Sequence, residues 1–245
     1  MIVGSIYKSR NYGEMEVVEY YNSLKVKVRF LSTGYETITR KSHIQTGSVK
    51  DMMFPNVFER GYLGEGKHKA FANGKDTKVY KTWQGMFQRC YSEAYLSKKP
   101  SYRGCSVDPR WYNFQVFGDW FDEHFPKDGG NYQLDKDLII TGNKVYSPEA
   151  CVFVSPALNA FLTDCARARG GERVRGCHTK QGSYATMCMN PFTGEQEYLG
   201  TYETEEESHQ TWRKKKHEHS KTYAEMLEKS GGDQRLINAM KVRFA

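Results

Sequence analysis

No stretch of this 245-residue chain approaches the roughly 20 consecutive apolar residues that a membrane span requires. The opening MIVGSIYKSRNYG holds no apolar core of the kind a secretory leader carries. The six cysteines (Cys90, Cys105, Cys151, Cys165, Cys177, Cys188) are scattered and include no CxxC pair. Zinc ribbons and knuckles present such pairs, so a zinc ribbon is not expected, and free thiols in a reducing compartment are. Acidic residues are the minority charge: 29 Asp and Glu stand against 36 Lys and Arg, a formal net charge of +7 with a pI near 8.9. That balance favours an acidic partner such as nucleic acid. Together these absences predict a soluble, cytoplasmic protein with no membrane partner.

What the chain does contain falls into segments of different periodicity, which predicts an α+β protein of several modules. In SLKVKVRFL, Val26, Val28 and Phe30 alternate with Lys25, Lys27 and Arg29, the period-two signature of a half-buried strand. MEVVEYY before it and YETIT after it are also β-rich, joined by NS and STG turns. Residues 1–50 therefore predict three or four strands of a small β-barrel, with a loose resemblance to KOW/Tudor-like barrels. Its cationic strand face is expected to be solvated. Residues 51–76, rich in Gly and Lys and without a steady period, predict a linker.

From residue 77 the period becomes helical. Val79, Trp83, Met86, Phe87, Cys90 and Tyr91 form one apolar stripe, and Trp111, Phe114, Phe117, Trp120 and Phe121 form a second. Stripes of this kind are core positions. LDKDLIITGNKVYSPEACVFV, residues 134–154, then predicts a strand ending in an acidic cluster, a loop carrying Asn143, and a return strand. SPALNAFLTDCARA follows as a helix with Ser155 as its cap and Pro156 at its first position. Strand alternation would set Asp135 and Asp137 on one face and Lys136 on the other. Cys90, Cys105 and Cys151 are expected to pack as small hydrophobes.

The third module begins near Arg173. GSYATMCM and EQEYLGTY predict strands around an NPFTGE turn. TEEESHQTWRKKKHEH predicts a helix that opens with a capping box from Thr204 to Glu207 and closes in a solvated cationic last turn, RKKKH at 213–217. The tail, residues 219–245, predicts one or two further short helices broken at Gly231 and Gly232.

Taken in order over residues 77–165, VYKTWQGMFQRCYS, GCSVDPRWYNFQVFGDWF and YQLDKDLIITGNKVYSPEACVFVSPALN resemble the HNH endonuclease family, in the version carried by phage and mobile introns. The resemblance implies a ββα-metal fold around one divalent cation and hydrolysis of DNA phosphodiester bonds. Cutting such a bond needs a base to activate water and a cation to stabilise charge on the phosphate and leaving oxygen. By resemblance, Asp135 is the strand-end metal carboxylate and Lys136 stands in the slot of the general-base histidine. Asn143 is the loop asparagine that holds the hairpin's connection, and Asn159 completes the metal site from the helix. The implied cofactor is Mg²⁺, or another divalent cation such as Mn²⁺, because Asp and Asn oxygens suit a hard ion better than they suit zinc. A lysine at its ordinary pKa is protonated near neutrality and accepts no proton. Lys136 would therefore hold the phosphate, or replace the base only if burial lowered its pKa. Asp137 is the nearest other group to activate water, and His124 is a remoter one.

RVRGCHTKQGSYATMCMNPFTGEQEYLGTYETEEESHQTW, over about residues 173–214, resembles the plant ethylene-response-factor (Apetala-type) DNA-binding domain, through Arg175-Gly176, Tyr184 and Thr186, YLGTY, and TEEES. The resemblance implies a three-stranded sheet laid in the major groove with a helix behind it. Arg173, Arg175, His178, Lys180 and Tyr198 are the implied DNA contacts. With Tyr184, Thr186 and Cys188 facing the helix, the open face shows Ala185, Met187 and Met189 where arginines are expected, which shifts affinity toward phosphate contacts. The full expectation is a phage-type, homing-like HNH endonuclease acting on double-stranded DNA. It comprises an accessory barrel (1–50), a nuclease module (77–165), a DNA-binding module (173–218) and a helical tail (219–245). Two rivals remain: a catalytically silent DNA-binding or regulatory protein on the same scaffold, and an interaction protein that uses the barrel as its binding surface.

Overall fold

The computed structural model describes residues 1–163, 176–180 and 182–245. Arg173, Arg175 and Cys165 lie outside the described residues, and only the backbone of His178 and Lys180 is described. The chain opens with strands β1 (Ile6–Ser9), β2 (Gly13–Asn22), β3 (Lys25–Phe30) and β4 (Glu36–Thr39), helix α1 (Lys41–Gln45), and the short pair β5 (Phe71–Ala72) and β6 (Lys75–Asp76). Helices α2 (Lys78–Tyr91) and α3 (Glu93–Lys98), strand β7 (Ser106–Val107) and helix α4 (Phe114–His124) follow. Next come β8 (Gln133–Asp135), β9 (Val145–Tyr146), β10 (Val152–Val154) and α5 (Pro156–Thr163). The chain ends on β11 (Cys177–Lys180), β12 (Ser183–Met189), β13 (Gln196–Tyr202), α6 (Glu205–Lys229) and α7 (Gln234–Val242). This is a mixed α+β chain in two compact units: Met1–Glu123 with Lys144–Ser147, and His124–Asn143 with Pro148–Ala245. No helix among the described residues is long and apolar enough to cross a membrane.

In the first unit, β1 to β4 form an antiparallel sheet in sequence order. The alternation in β3 has its expected effect: Val26, Val28 and Phe30 are buried with Met15, Val17, Ile44 and Val49. On the other face Lys27 meets Glu19 and Glu36, and Arg29 meets Glu36. The expected barrel is not there, because β1 pairs only with β2 and β4 only with β3, which leaves two open edges. Period two assigns faces to a strand and carries no information about closure. Here a single short helix covers the apolar face in place of a second wall, through Ile44.

Within residues 51–76, Tyr62 donates from its backbone to Tyr112 and accepts from Phe114, both at 2.9 Å. Gly61 there lies flat against Trp83 and Phe87; a Cβ on it would stand 2.8 Å from the Trp83 ring. The two helical stripes bury as expected, with Trp83, Met86, Phe87 and Cys90 on α2 and Phe114, Phe117, Trp120 and Phe121 on α4. Trp83 Nε1 donates to the Trp111 carbonyl at 2.7 Å, so the two stripes share a polar tie.

In the second unit, β8 and β10 pair antiparallel with Asp135 opposite Val152 and Gln133 opposite Val154, and α5 follows directly. The return strand is thus β10, while the intervening β9 pairs in parallel with β7 in the first unit. Val152, Val154, Leu158 and Phe161 join Leu138, Ala224, Leu236, Ile237 and Met240 in one core. Arg235, on α7, forks onto Asp233 and reaches the Pro148 carbonyl at 2.9 Å and the Cys151 carbonyl at 3.3 Å, fixing α7 to the approach of β10.

β11, β12 and β13 form a three-stranded antiparallel sheet, and α6 packs on it. The capping box is present in both directions between Thr204 and Glu207. Thr186 on β12 bonds Ser208 on α6, hydroxyl to hydroxyl at 2.7 Å. Gly176 adopts φ +84°, and a Cβ there would fall 2.3 Å from Trp212 Cγ.

The helix expected to close at 213–217 instead runs unbroken to Lys229 and breaks at Gly231. Lys216 is not a solvated end but 0% exposed. Its Nζ donates to the Phe161 carbonyl at 2.9 Å and stands 4.0 Å from the centroid of the Phe161 ring. A lysine lying over aromatic rings thus supplies a donor to a main-chain carbonyl of α5.

Candidate functional site

β8 ends where it does because Asp135 turns the chain. Its Oδ1 accepts from the backbone N–H groups of Asp137 at 3.0 Å and Leu138 at 2.8 Å. An Asp side chain bonded in this way mimics a backbone turn and competes with the sheet ladder. Alternation therefore stops at Asp135, and the expectation that Lys136 and Asp137 point apart fails. Lys136 folds inward, 7% exposed, and its Nζ donates to Asp137 Oδ2 at 3.0 Å and to the Asn143 carbonyl at 3.2 Å. Asn143 answers with a bond from its Nδ2 to the Lys136 carbonyl at 2.6 Å. These reciprocal bonds close the loop from 136 to 143. Lys136 takes part as a donor.

Asp135 is half-buried. Burial first, and then the negative charge of Asp137, push its carboxyl above the usual carboxylate range, against the pull of the two backbone donors. Asn159 lies on α5, where Ser155 caps the first turn by accepting from Leu158 N at 3.2 Å. Its Nδ2 donates to Gln133 Oε1 at 2.5 Å. Gln133 is two residues before Asp135, so the two share a face of β8. The helix thus reaches the Asp135 face of the strand, but through Gln133, a partner that sequence reasoning did not single out. The period-two spacing of Gln133 and Asp135 was the available signal. His124 is the last residue of α4.

Two neighbouring carboxyl groups are oxygen donors of the kind a hard divalent cation takes, although among the described residues no group of three or more His, Cys, Asp or Glu side chains gathers there. Gln133 and Asn159 add amide groups on the same strand face.

No family model, curated protein or solved structure matches this chain.

Beside the loop runs a groove of about 500 Å³ whose lining includes Leu138, Ile139, Thr141, Arg213, Arg243 and Ala245; within it Arg213 donates to the Ala245 carbonyl. On the three-stranded sheet, Thr186 and Cys188 are buried on the α6 side. Across the register, His178 stands opposite Ala185, Lys180 opposite Ser183, Ala185 opposite Thr201, and Met187 opposite Tyr198. Tyr198 is 60% exposed and its hydroxyl meets that of Thr201 at 2.5 Å. Ala185, expected on the open face, is buried, being small enough for its neighbours to cover.

Sequence reasoning also missed the cluster behind this sheet. Glu197 of β13 accepts from Asn190 at 2.7 Å and meets Lys215 at 3.0 Å, with His219 at 3.7 Å. Burial, and then the charge of Lys215, lower the pKa of His219.

Proposed function

We propose that this chain is a DNA endonuclease of the HNH kind, hydrolysing phosphodiester bonds of duplex DNA with one divalent cation, Mg²⁺ or Mn²⁺. The observation that carries the reading is the β8–loop–β10–α5 arrangement, with Asp135 closing the strand and Asn159 arriving on the same strand face. In this reading Asp135 and Asp137 offer carboxylate oxygens to the cation, and Gln133 and Asn159 orient the strand face beneath it. The bound cation supplies charge for the phosphate and leaving oxygens. In this reading Asp137, its side chain 51% exposed, would take a proton from water through the carboxylate oxygen turned from the cation. Lys136 neutralises part of the carboxylate pair and holds the loop with Asn143. Arg173, Arg175, His178, Lys180 and Tyr198 hold the duplex, chiefly through its phosphates. A phage origin and the host cytoplasm belong to the same reading.

A second reading, a silent DNA-binding protein on the same scaffold, is favoured by one observation. At the slot where this chemistry needs a base, Lys136 donates to two acceptors. Incubation with supercoiled plasmid and Mg²⁺ or Mn²⁺ separates the two. Nicking that disappears in Asp135→Ala and Asn159→Ala supports the nuclease, and duplex binding without any cutting supports the silent binder.

A further inference from the structure

In the first unit, Arg89 on α2 has no acidic partner among the described residues. Its Nε donates to the Tyr146 hydroxyl at 2.7 Å, and its guanidinium lies 5.2 Å from the centroid of that ring. Neither Nη group has a hydrogen-bond acceptor among the described residues. Burial disfavours its charge and the phenols of Tyr146, Tyr102 and Tyr95 offset that, leaving its pKa above the ordinary value with no carboxylate among the groups named. Glu93, at the start of α3, is engaged by Arg103 at 2.8 Å. A half-buried guanidinium that has lost water and gained no counter-ion is costly, and chains rarely keep one without an anion to meet it.

Gly85 makes the site accessible. It lies one turn before Arg89 on the same face of α2, and a Cβ on it would stand 3.5 Å from Arg89 Nη1. Glycine is disfavoured inside a helix; here its lack of a side chain leaves the Nη1 donors uncovered. The surroundings are cationic as well. Residues 98–103, KKPSYR, hold three cations and no acid, and Lys144 is tied to this segment through the Ser101 carbonyl at 2.8 Å. Tyr95 and Tyr102 pack edge to face at 5.7 Å beside it.

We infer that Arg89, flanked by Tyr95 and Tyr102 and opened by Gly85, is a binding site for a phosphate oxyanion, received by the two Nη groups as a fork. Planar, bidentate recognition of phosphate is what a guanidinium does best. The source of that phosphate is the nucleic-acid backbone. This assignment of source rests on the DNA reading above, whereas the oxyanion site itself does not.

The test uses the full chain, a labelled 20-base-pair duplex and inorganic phosphate. Arg89→Gln removes the fork, and Gly85→Leu covers it while leaving the Arg89–Tyr146 bond in place. Both should weaken duplex binding roughly 10- to 100-fold. Both should also lower the slope of log K against log salt by about 0.9, the loss of one phosphate contact. In chain labelled with [¹⁵N]arginine, the Arg89 side-chain signals should shift with inorganic phosphate, and that shift should vanish in Gly85→Leu. Folded variants with wild-type affinity, slope and phosphate shifts would reduce Arg89 to a brace for Tyr146 and overturn the site. Lost phosphate shifts with unchanged duplex affinity would overturn the backbone as the source. A phosphate-responsive Arg89 in a chain that binds no duplex would sink the DNA reading and leave the oxyanion site standing.

Discussion

Lys136→Met separates a structural lysine from one that works on the phosphate. Methionine keeps much of the length and apolar stem while deleting the ammonium. With it go the bond to the Asn143 carbonyl at 3.2 Å and the contact with Asp137 at 3.0 Å. A charge-assisted bond at a buried site contributes about 1.5–3 kcal/mol. The Asp137 pair contributes less, under about 1 kcal/mol, since that carboxylate is half in water. The variant should therefore lose about 3 kcal/mol, a fall in Tm of roughly 10 °C for a chain of this size. Urea titration with an unchanged m-value would read the loss. Removing the ammonium also leaves Asp135 and Asp137 with less compensation and no competitor for a cation, so the variant should need less Mg²⁺ to nick plasmid, with little change in rate at saturation. A variant as stable as the parent that fails to cut at any Mg²⁺ concentration would refute this role and put the ammonium at the scissile phosphate.

Asp135→Asn keeps an acceptor for the two turn-forming N–H groups and removes the carboxylate repulsion. Because the folded carboxyl titrates above the ordinary range, its contribution is fully favourable only at low pH and is lost as pH rises through that raised value. The Asn variant should accordingly be the more stable at pH 7, with the gap closing toward pH 4, as measured by urea unfolding at both. Mg²⁺ at about 100 times its Kd should stabilise the parent by about 2.7 kcal/mol and the Asn variant far less. His219 titrates below its usual value, so stability should fall as pH drops below about 6.5, and His219→Gln should flatten that profile. Gly176→Ala drives a Cβ into Trp212 at a φ of +84° and should cost more than about 2 kcal/mol, visible as faster proteolysis of the sheet-and-helix region.

Where local chemistry decides the structure, the sequence was a good guide. The stripe on α2, the Ser155 cap and the Thr204–Glu207 box all rest on neighbours within one or two turns, and each is present. Period two marked Val26, Val28 and Phe30 as a buried face but could not say whether four strands close. Lys136 was misread because alternation was carried past Asp135, whose own side chain ends the strand. Lys216 was beyond reach for a different reason: lysines are almost never fully buried unless paired, and its acceptor is a carbonyl 55 residues earlier. The meeting of Asn159 with Gln133 is likewise long-range, across 26 residues.

One consequence follows from the length of α6. Near its start Ser208 and Trp212 face a sheet, and three turns later Ala224 belongs to the core under β10 and α5. Each residue added to a helix turns everything beyond it by about 100° and advances it about 1.5 Å. An insertion or deletion between Trp212 and Ala224 would swing one of these two faces into solvent. Chains that share this architecture should hold the Trp212-to-Ala224 interval to the residue.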